Sequence, residues 1–292
     1  MFDKLNDFLN RSGARKQLAD GWTFEEIEAM STEEMLAHLN QIGVTMTAQE
    51  FQALAQRHDS SERLADAWGE TYRIRPQGRY DQDFVWMAAF VLWKRLMPGH
   101  ICFEQIDARM QEGYALLEQQ RLTEACDAWW QTWAWIKEKA SQYDTLRSLD
   151  QAFRGMQLIY NWCQDFEMHL DNAGAQDPQY YHLRIRYCQE FLACFKLEWD
   201  LRGNFMQAEA ETYWQLGEIE TAEARFEALI EANPDWAWGY IGWSDQYWLF
   251  KGGPQDDDRA EAILQRALNR PNLQGRDVVR ERLEDLRTRR KG

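Results

Sequence analysis

The feature that most constrains this chain is that its last third repeats itself. Ala210-x-x-Tyr213 recurs as Ser244-x-x-Tyr247, 34 residues on, and Ala222-x-x-x-Phe226 recurs as Ala260-x-x-x-Leu264, 38 residues on. The four extra positions fall in the GGPQDDD turn. Each unit reads as a helix with a small residue one turn before an aromatic, then a tight turn, then a second helix with Ala and a large apolar residue one turn apart. Small residues let paired helices approach, and large ones fill the groove between neighbouring pairs. Gly113-x-x-Leu116 with Ala125-x-x-x-Trp129 has the same form 97 residues earlier, room for two degenerate units at about 34 residues each. A chain of this kind folds as stacked helix pairs.

The remaining sequence agrees with an all-α class. Only 6 Pro and 17 Gly punctuate 292 residues, and no stretch alternates apolar and polar residues as a half-buried strand does. Ser31 or Thr32 with Glu33 and Glu34 forms a capping-box start, followed by Met35, Leu36, Leu39 and Ile42 at helical spacing up to Gly43. A second helix is predicted from near Thr47 and a third after Ser60-Ser61-Glu62. RIRPQGRYDQD (73–83) reads as a turn, and a long apolar helix is predicted from Asp83 to Met97. Pro98-Gly99 is taken as the boundary between an N-terminal helical domain, 1–99, and a helical repeat domain, 100–292. Further breaks are expected at Gln119-Gln120-Arg121, Asp171-Asn172-Ala173-Gly174, Arg202-Gly203-Asn204, Gly217-Glu218, Asn233-Pro234 and Gly252-Gly253-Pro254.

Tyr240-x-x-Trp243-Ser244-x-x-Tyr247, and Ala222-x-x-x-Phe226 with Pro234, resemble the first and second helices of the tetratricopeptide repeat family. The resemblance implies a right-handed α-solenoid; residues 141–205 fit it only by helix length. DQDFVWMAAFVLWKRL, EACDAWWQTWAWI and NPDWAWGYIGWSDQYWLF together look like bacterial tetratricopeptide-like proteins that often end in a SEC-C motif, a small Cys-rich zinc-binding tail. Here the sequence ends at RTRRKG and no Cys follows Cys194, so that tail and its zinc are not expected.

Chemistry-bearing motifs are scarce. The sequence holds no P-loop, G-x-G-x-x-G, G-x-S-x-G or H-E-x-x-H pattern, so a non-enzyme without a cofactor is expected. His182, Cys188 and Cys194, with Cys163 or His169, are the best metal candidates, but spacings of six do not share a helical face, and core packing is the preferred reading. Cys126 has no neighbouring base in sequence and reads as buried. The five cysteines form an odd set without a C-x-x-C pair, which suits reduced thiols in a cytoplasmic core. MFDKLNDFLNRSGARKQLAD lacks the pattern of a secretory signal, so the mature chain is expected to begin at Met1. The apolar run Phe84 to Trp93 is about half a membrane span and reads as a buried helix.

Charge and aromatics direct the functional expectation. The net charge of −15 disfavours nucleic acid as a partner, apart from a small contact through the basic tail Arg287, Arg289, Arg290 and Lys291. Residues 201–258 carry 12 acidic and 3 basic side chains, whereas 276–291 carry 7 basic and 4 acidic. Fifteen Trp are present. The resemblance assigns Tyr240, Trp243 and Tyr247 to packing and leaves Trp238, Asp245 and Trp248 on the inner curve. It likewise leaves Asn204, Gln207, Glu211, Trp214 and Gln215 there from the preceding unit, and Asp107, Met110, Tyr114 and Glu118 from the earlier copy. Aromatics interleaved with acids suit a basic or mixed basic-apolar segment of a partner. The candidate partner-binding residues are therefore Trp214, Glu211, Trp238, Asp245, Trp248 and Tyr114, and the competing reading is that these Trp only pack between units. The expected function is a non-catalytic adaptor; the alternative is a ligand- or peptide-responsive regulator using the same groove.

Overall fold

A computed structural model describes residues 21–77, 81–250 and 253–290. The amino-terminal twenty residues of the expected mature start, part of the 73–83 turn, Gly252 and Lys291 lie outside the described residues. Fifteen helices and no strand occur among the described residues; a lone bridge joins Trp236 to Gln274. None of these helices is long and apolar enough to cross a membrane. By their contacts, residues up to Ile136 with Asp150–Leu158 form one compact unit, and Lys137–Leu149 with the residues from Ile159 onward form another.

In the first unit, α1 (Phe24–Ala29), α2 (Thr32–Gln41), α3 (Ala48–Ala55) and α4 (Ser61–Thr71) all pack on α5 (Asp81–Leu96). Capping sets their starts. Thr23 with Glu26, Ser31 with Glu34 and Thr47 with Glu50 form reciprocal capping boxes, and Ser60 Oγ accepts from the Arg63 N–H at 3.1 Å. Helix α5 is apolar nearly all round because it is enclosed nearly all round: Phe84, Val85, Ala88, Ala89, Val91, Leu92 and Trp93 are buried. Each such large side chain contributes about 1.5–3 kcal/mol by leaving water.

Pro98-Gly99 ends α5, yet packing continues across it. The Phe103 N–H donates to the Asp59 carbonyl at 2.8 Å, and the Glu104 carboxylate accepts from Ser60 Oγ and the Ser61 N–H. Thus α6 (Phe103–Glu118) and most of α7 (Leu122–Ala140) share the first unit.

The second unit contains α9 (Ile159–Gly174), α10 (Gln179–Cys194), α11 (Trp199–Gln215), α12 (Ile219–Ala232), α13 (Ala237–Trp248), α14 (Asp257–Leu268) and α15 (Arg276–Arg289). Each packs on the next in order, and α13 also touches α11 and α15. Helix α8 (Leu146–Phe153) was not anticipated as a separate element, and the division between units falls within α7 and α8. Two expected breaks are corrected. Residues 171–174 belong to α9 and 202–204 to α11. Their glycines serve close packing instead of chain reversal: the space of a Gly174 side chain is filled by the Tyr181 ring, and that of a Gly203 side chain by Trp236. Of the residues that the repeat pattern and the resemblance singled out, Ala210, Ala222, Phe226, Tyr240, Trp243, Tyr247, Ala260 and Leu264 are buried in this unit's core, while Tyr213 is half-buried.

Candidate functional site

The site begins with an arginine inside an apolar stripe. On α10 the buried positions Tyr180, Arg184, Tyr187, Cys188 and Phe191 follow helical spacing, so Arg184 faces the interior with its side chain 5% exposed. A buried guanidinium must be paired. Glu167 and Asp171, one turn apart on α9, supply that pairing. Arg184 Nε donates to Glu167 Oε1 at 2.6 Å, and Nη1 donates to Asp171 Oδ1 at 2.8 Å and to Thr212 Oγ1 at 2.9 Å.

Beside this cluster lies a cavity of about 370 Å³. Asp171 of α9, Tyr181 of α10, Gln246 of α13 and the flanking Phe250 and Gly253 form its walls, together with Glu211, Trp214 and Gln215 of α11. Residues three and four apart share a helix face, which is why these three line one wall. Burial pushes the Glu211 carboxyl up to about 7, against the opposing pull of Arg184 and of the 2.7 Å bond from Gln207 Nε2. Trp214 is buried, its ring edge-on to Tyr247 with centroids 4.8 Å apart, and its indole Nε1, facing Gly253, has no hydrogen-bond partner. Three carboxylates, Glu167, Asp171 and Glu211, thus surround one guanidinium next to an open volume.

Of the six expected residues, the structure brings Glu211 and Trp214 into this cavity. Asp245 and Trp248 occupy the same relative positions 34 residues later, so acid-x-x-Trp recurs at the shift that separates Tyr213 from Tyr247. That spacing was legible in the sequence and was not used. Trp248 Nε1 donates to Asp245 Oδ1 at 3.1 Å, Arg282 Nη2 lies 3.4 Å from Asp245 Oδ2, and the Arg289 guanidinium sits 5.7 Å from the Trp248 ring centroid. Burial pushes the Asp245 carboxyl up to about 6, against Arg282 and the Trp248 bond.

Trp214, Asp245 and Trp248, expected on an inner face, do not stand open to solvent. All three are buried, because α15 covers the second acid-indole pair and the first lies inside the cavity wall. Trp238 alone among the expected tryptophans stands exposed, at 50%. Tyr114 belongs to the first unit, edge-on to Trp129 at 4.9 Å, and Met110 there is fully buried. Arg184, Glu167 and Asp171 were missed; the signal for them was a lone arginine on the stripe of Tyr180, Tyr187 and Cys188.

Other candidates are weaker. A cavity of about 740 Å³ is lined by Tyr240, Pro234, Arg266 and Arg270, but both arginines are already paired, with Glu227 at 2.8 Å and Asp235 at 3.4 Å. Cys126 is buried beside Asp127, and burial followed by that charge pushes its thiol up to about 12. Among the described residues no group of three His, Cys, Asp or Glu is arranged to hold a metal ion. No protein-family model, no curated protein and no solved structure matches this chain.

Proposed function

We propose that this protein is a non-catalytic adaptor whose second unit is a right-handed α-solenoid of tetratricopeptide-like helix pairs, with an inner face that holds a basic, partly apolar segment of a partner protein. In this reading α11/α12 and α13/α14 are regular pairs, α15 is a capping helix, and α1–α5 are a small N-terminal helical domain. Support comes from equivalent positions filled alike. Ala210 and Ser244 are fully buried, as are Ala222 and Ala260; Ser244 Oγ donates to the Ala260 carbonyl at 3.2 Å, and Trp243 stacks on Phe226 at 6.0 Å. Five cysteines in no disulfide, four of them buried, support a reducing cytoplasm.

The observation that carries the binding role is the equivalence of the two acid-x-x-Trp pairs. The second pair holds two arginines of the chain's own α15, one on the acid and one on the ring. The first pair, Glu211 and Trp214, stands beside an open volume, and the guanidinium near it, Arg184, is already bonded to Glu167 and Asp171, so a further cation is to come from another molecule. A volume as small as about 370 Å³ also suits the alternative, a ligand- or peptide-responsive regulator using the same site.

Immobilised chain in native lysate tests the reading, with captured proteins identified and compared with those on an Asp171→Asn/Glu211→Gln variant. The expected result is a protein with an exposed basic segment, captured by the wild type and lost on the variant. Identical capture by both would remove the site from the account.

A further inference from the structure

Helices α11 and α13 run side by side in the same direction, and three contacts fix their register. The Trp236 ring fills the space of a Gly203 side chain, the Gln207 amide fills that of a Gly242 side chain, and Gln246 shares the cavity wall with Glu211. One turn before Gly242, the same ridge of α13 reaches Trp238, which is half exposed. The cavity at Gln246 and the indole of Trp238 are therefore the two ends of one strip, eight residues apart along α13. At about 1.5 Å per residue that separation is about 12 Å.

The two ends make different demands. At the cavity, Glu167, Asp171 and Glu211 meet the single guanidinium of Arg184, which Glu167 and Asp171 already hold, so a further cation is favoured there. At the other end, the acid on the Trp238 side of α13 is Asp245, and Arg282 already lies 3.4 Å from it. That charge is met, and the exposed indole face suits an apolar side chain. A segment that answers both ends carries a basic and an apolar side chain about 12 Å apart. In an extended chain the side chains of one face recur every two residues at about 3.3 Å per residue, giving separations of about 7, 13 and 20 Å. The second of these, a spacing of four residues, matches. A helical segment of equal reach needs about eight residues, and at about 10–12 Å across it would ride over the seam that Gln207 closes against Gly242 instead of lying in it.

We propose that this strip of α11 and α13 reads an extended segment with a basic and an apolar residue four positions apart, the basic side chain in the cavity facing Asp171 and Glu211 and the apolar one on Trp238. This deepens the adaptor reading and rests on it: the partner's segment is selected by a spacing as well as by a charge.

The test uses the full chain and capped synthetic peptides of one composition. Acetyl-Gly-Leu-Ser-Ser-Ser-Lys-Gly amide has Leu and Lys four apart, acetyl-Gly-Ser-Leu-Ser-Lys-Ser-Gly amide has them two apart, and each is also made with Leu and Lys exchanged. Affinities come from titrations followed by nitrogen-15 NMR of the indole N–H groups, with the Trp238 resonance identified from a Trp238→Ala variant. In at least one chain direction the four-apart peptide should bind about fivefold or more tightly than its two-apart counterpart and shift the Trp238 resonance. Trp238→Ala should erase that advantage and leave the two-apart affinity unchanged, while Glu211→Gln should weaken both peptides; circular dichroism of each variant separates lost binding from lost folding. Equal affinity at the two spacings, with both weakened by Glu211→Gln, would overturn this inference and leave the adaptor reading intact. So would a four-apart advantage that survives Trp238→Ala, or tighter binding of an alanine-rich helical peptide with Leu and Lys eight apart. Failure of every peptide to bind at millimolar concentration, or binding that Glu211→Gln leaves unchanged, would remove both readings.

Discussion

A single position along a helix decides whether a tryptophan here is structure or surface. Trp248 is held by Asp245 and covered by Arg289, whereas Trp238, ten residues earlier on the same helix, is half exposed. Trp248→Ala should therefore cost about 3–5 kcal/mol in denaturant unfolding, the range for truncating a buried aromatic, while Trp238→Ala should change stability by less than about 0.5 kcal/mol. Equal effects would contradict these burial assignments. Glu211 makes a second case. Its carboxyl rises from the ordinary 4.5 to about 7, so the folded chain holds a proton that the unfolded chain releases over that range. Stability from this group is present below about pH 4.5 and is lost as pH rises to about 7. At about 1.4 kcal/mol per pH unit the loss amounts to roughly 3 kcal/mol. Glu211→Gln should accordingly raise the melting temperature at pH 8 and have a shrinking effect towards pH 5; a gain that is constant with pH would show that Glu211 is not the titrating group. Residues of this kind were half legible. The family resemblance pointed to Glu211 and Trp214, but their neighbour Arg184 lies on another helix, and only folding brings α9, α10 and α11 together.

Among the elements, starts were easier to read than ends. Capping boxes announce α1 to α3 through local chemistry, since the side chain and backbone that pair are three residues apart. The glycines of α9 and α11 misled for the opposite reason. Glycine breaks a helix by conformational freedom but also permits close contact, and the second use depends on a distant ring: Tyr181 for Gly174 and Trp236 for Gly203. The distinction can be measured. Gly69, on an exposed part of α4, has open space around it, so Gly69→Ala should stabilise by about 0.5–1 kcal/mol. Gly203→Val should destabilise by about 1–3 kcal/mol, because Trp236 already fills the space. Reversal of either sign, read from the midpoint of urea unfolding, would refute that reading of the glycine.

For the whole molecule, helical character was legible throughout because every local signal agreed, from capping to repeat spacing. Pro98-Gly99 is visible in sequence, whereas the contacts of Phe103 with Asp59 and of Glu104 with Ser60 and Ser61 span more than forty residues and are not. Charge acts at this scale too. The acidic stretch 201–258 is met by basic α15 and the residue that caps it, where Arg282 pairs with Asp245, Arg289 with Asp257, and Arg290 with Asp257 and Asp258. The exposed pairs contribute little stability each, and Arg282 and Arg289 of α15 occupy the second acid-indole pair; under the proposed function the first awaits a partner. The most direct measurement is calorimetric titration of a basic-apolar peptide into the wild type and the Asp171→Asn/Glu211→Gln variant, each at 0.05 M and 1 M salt, where the Debye length falls to about 3 Å. The account predicts wild-type binding at low salt, weakened at least tenfold at 1 M and absent in the variant. Binding of equal strength in wild type and variant, insensitive to salt, would contradict it.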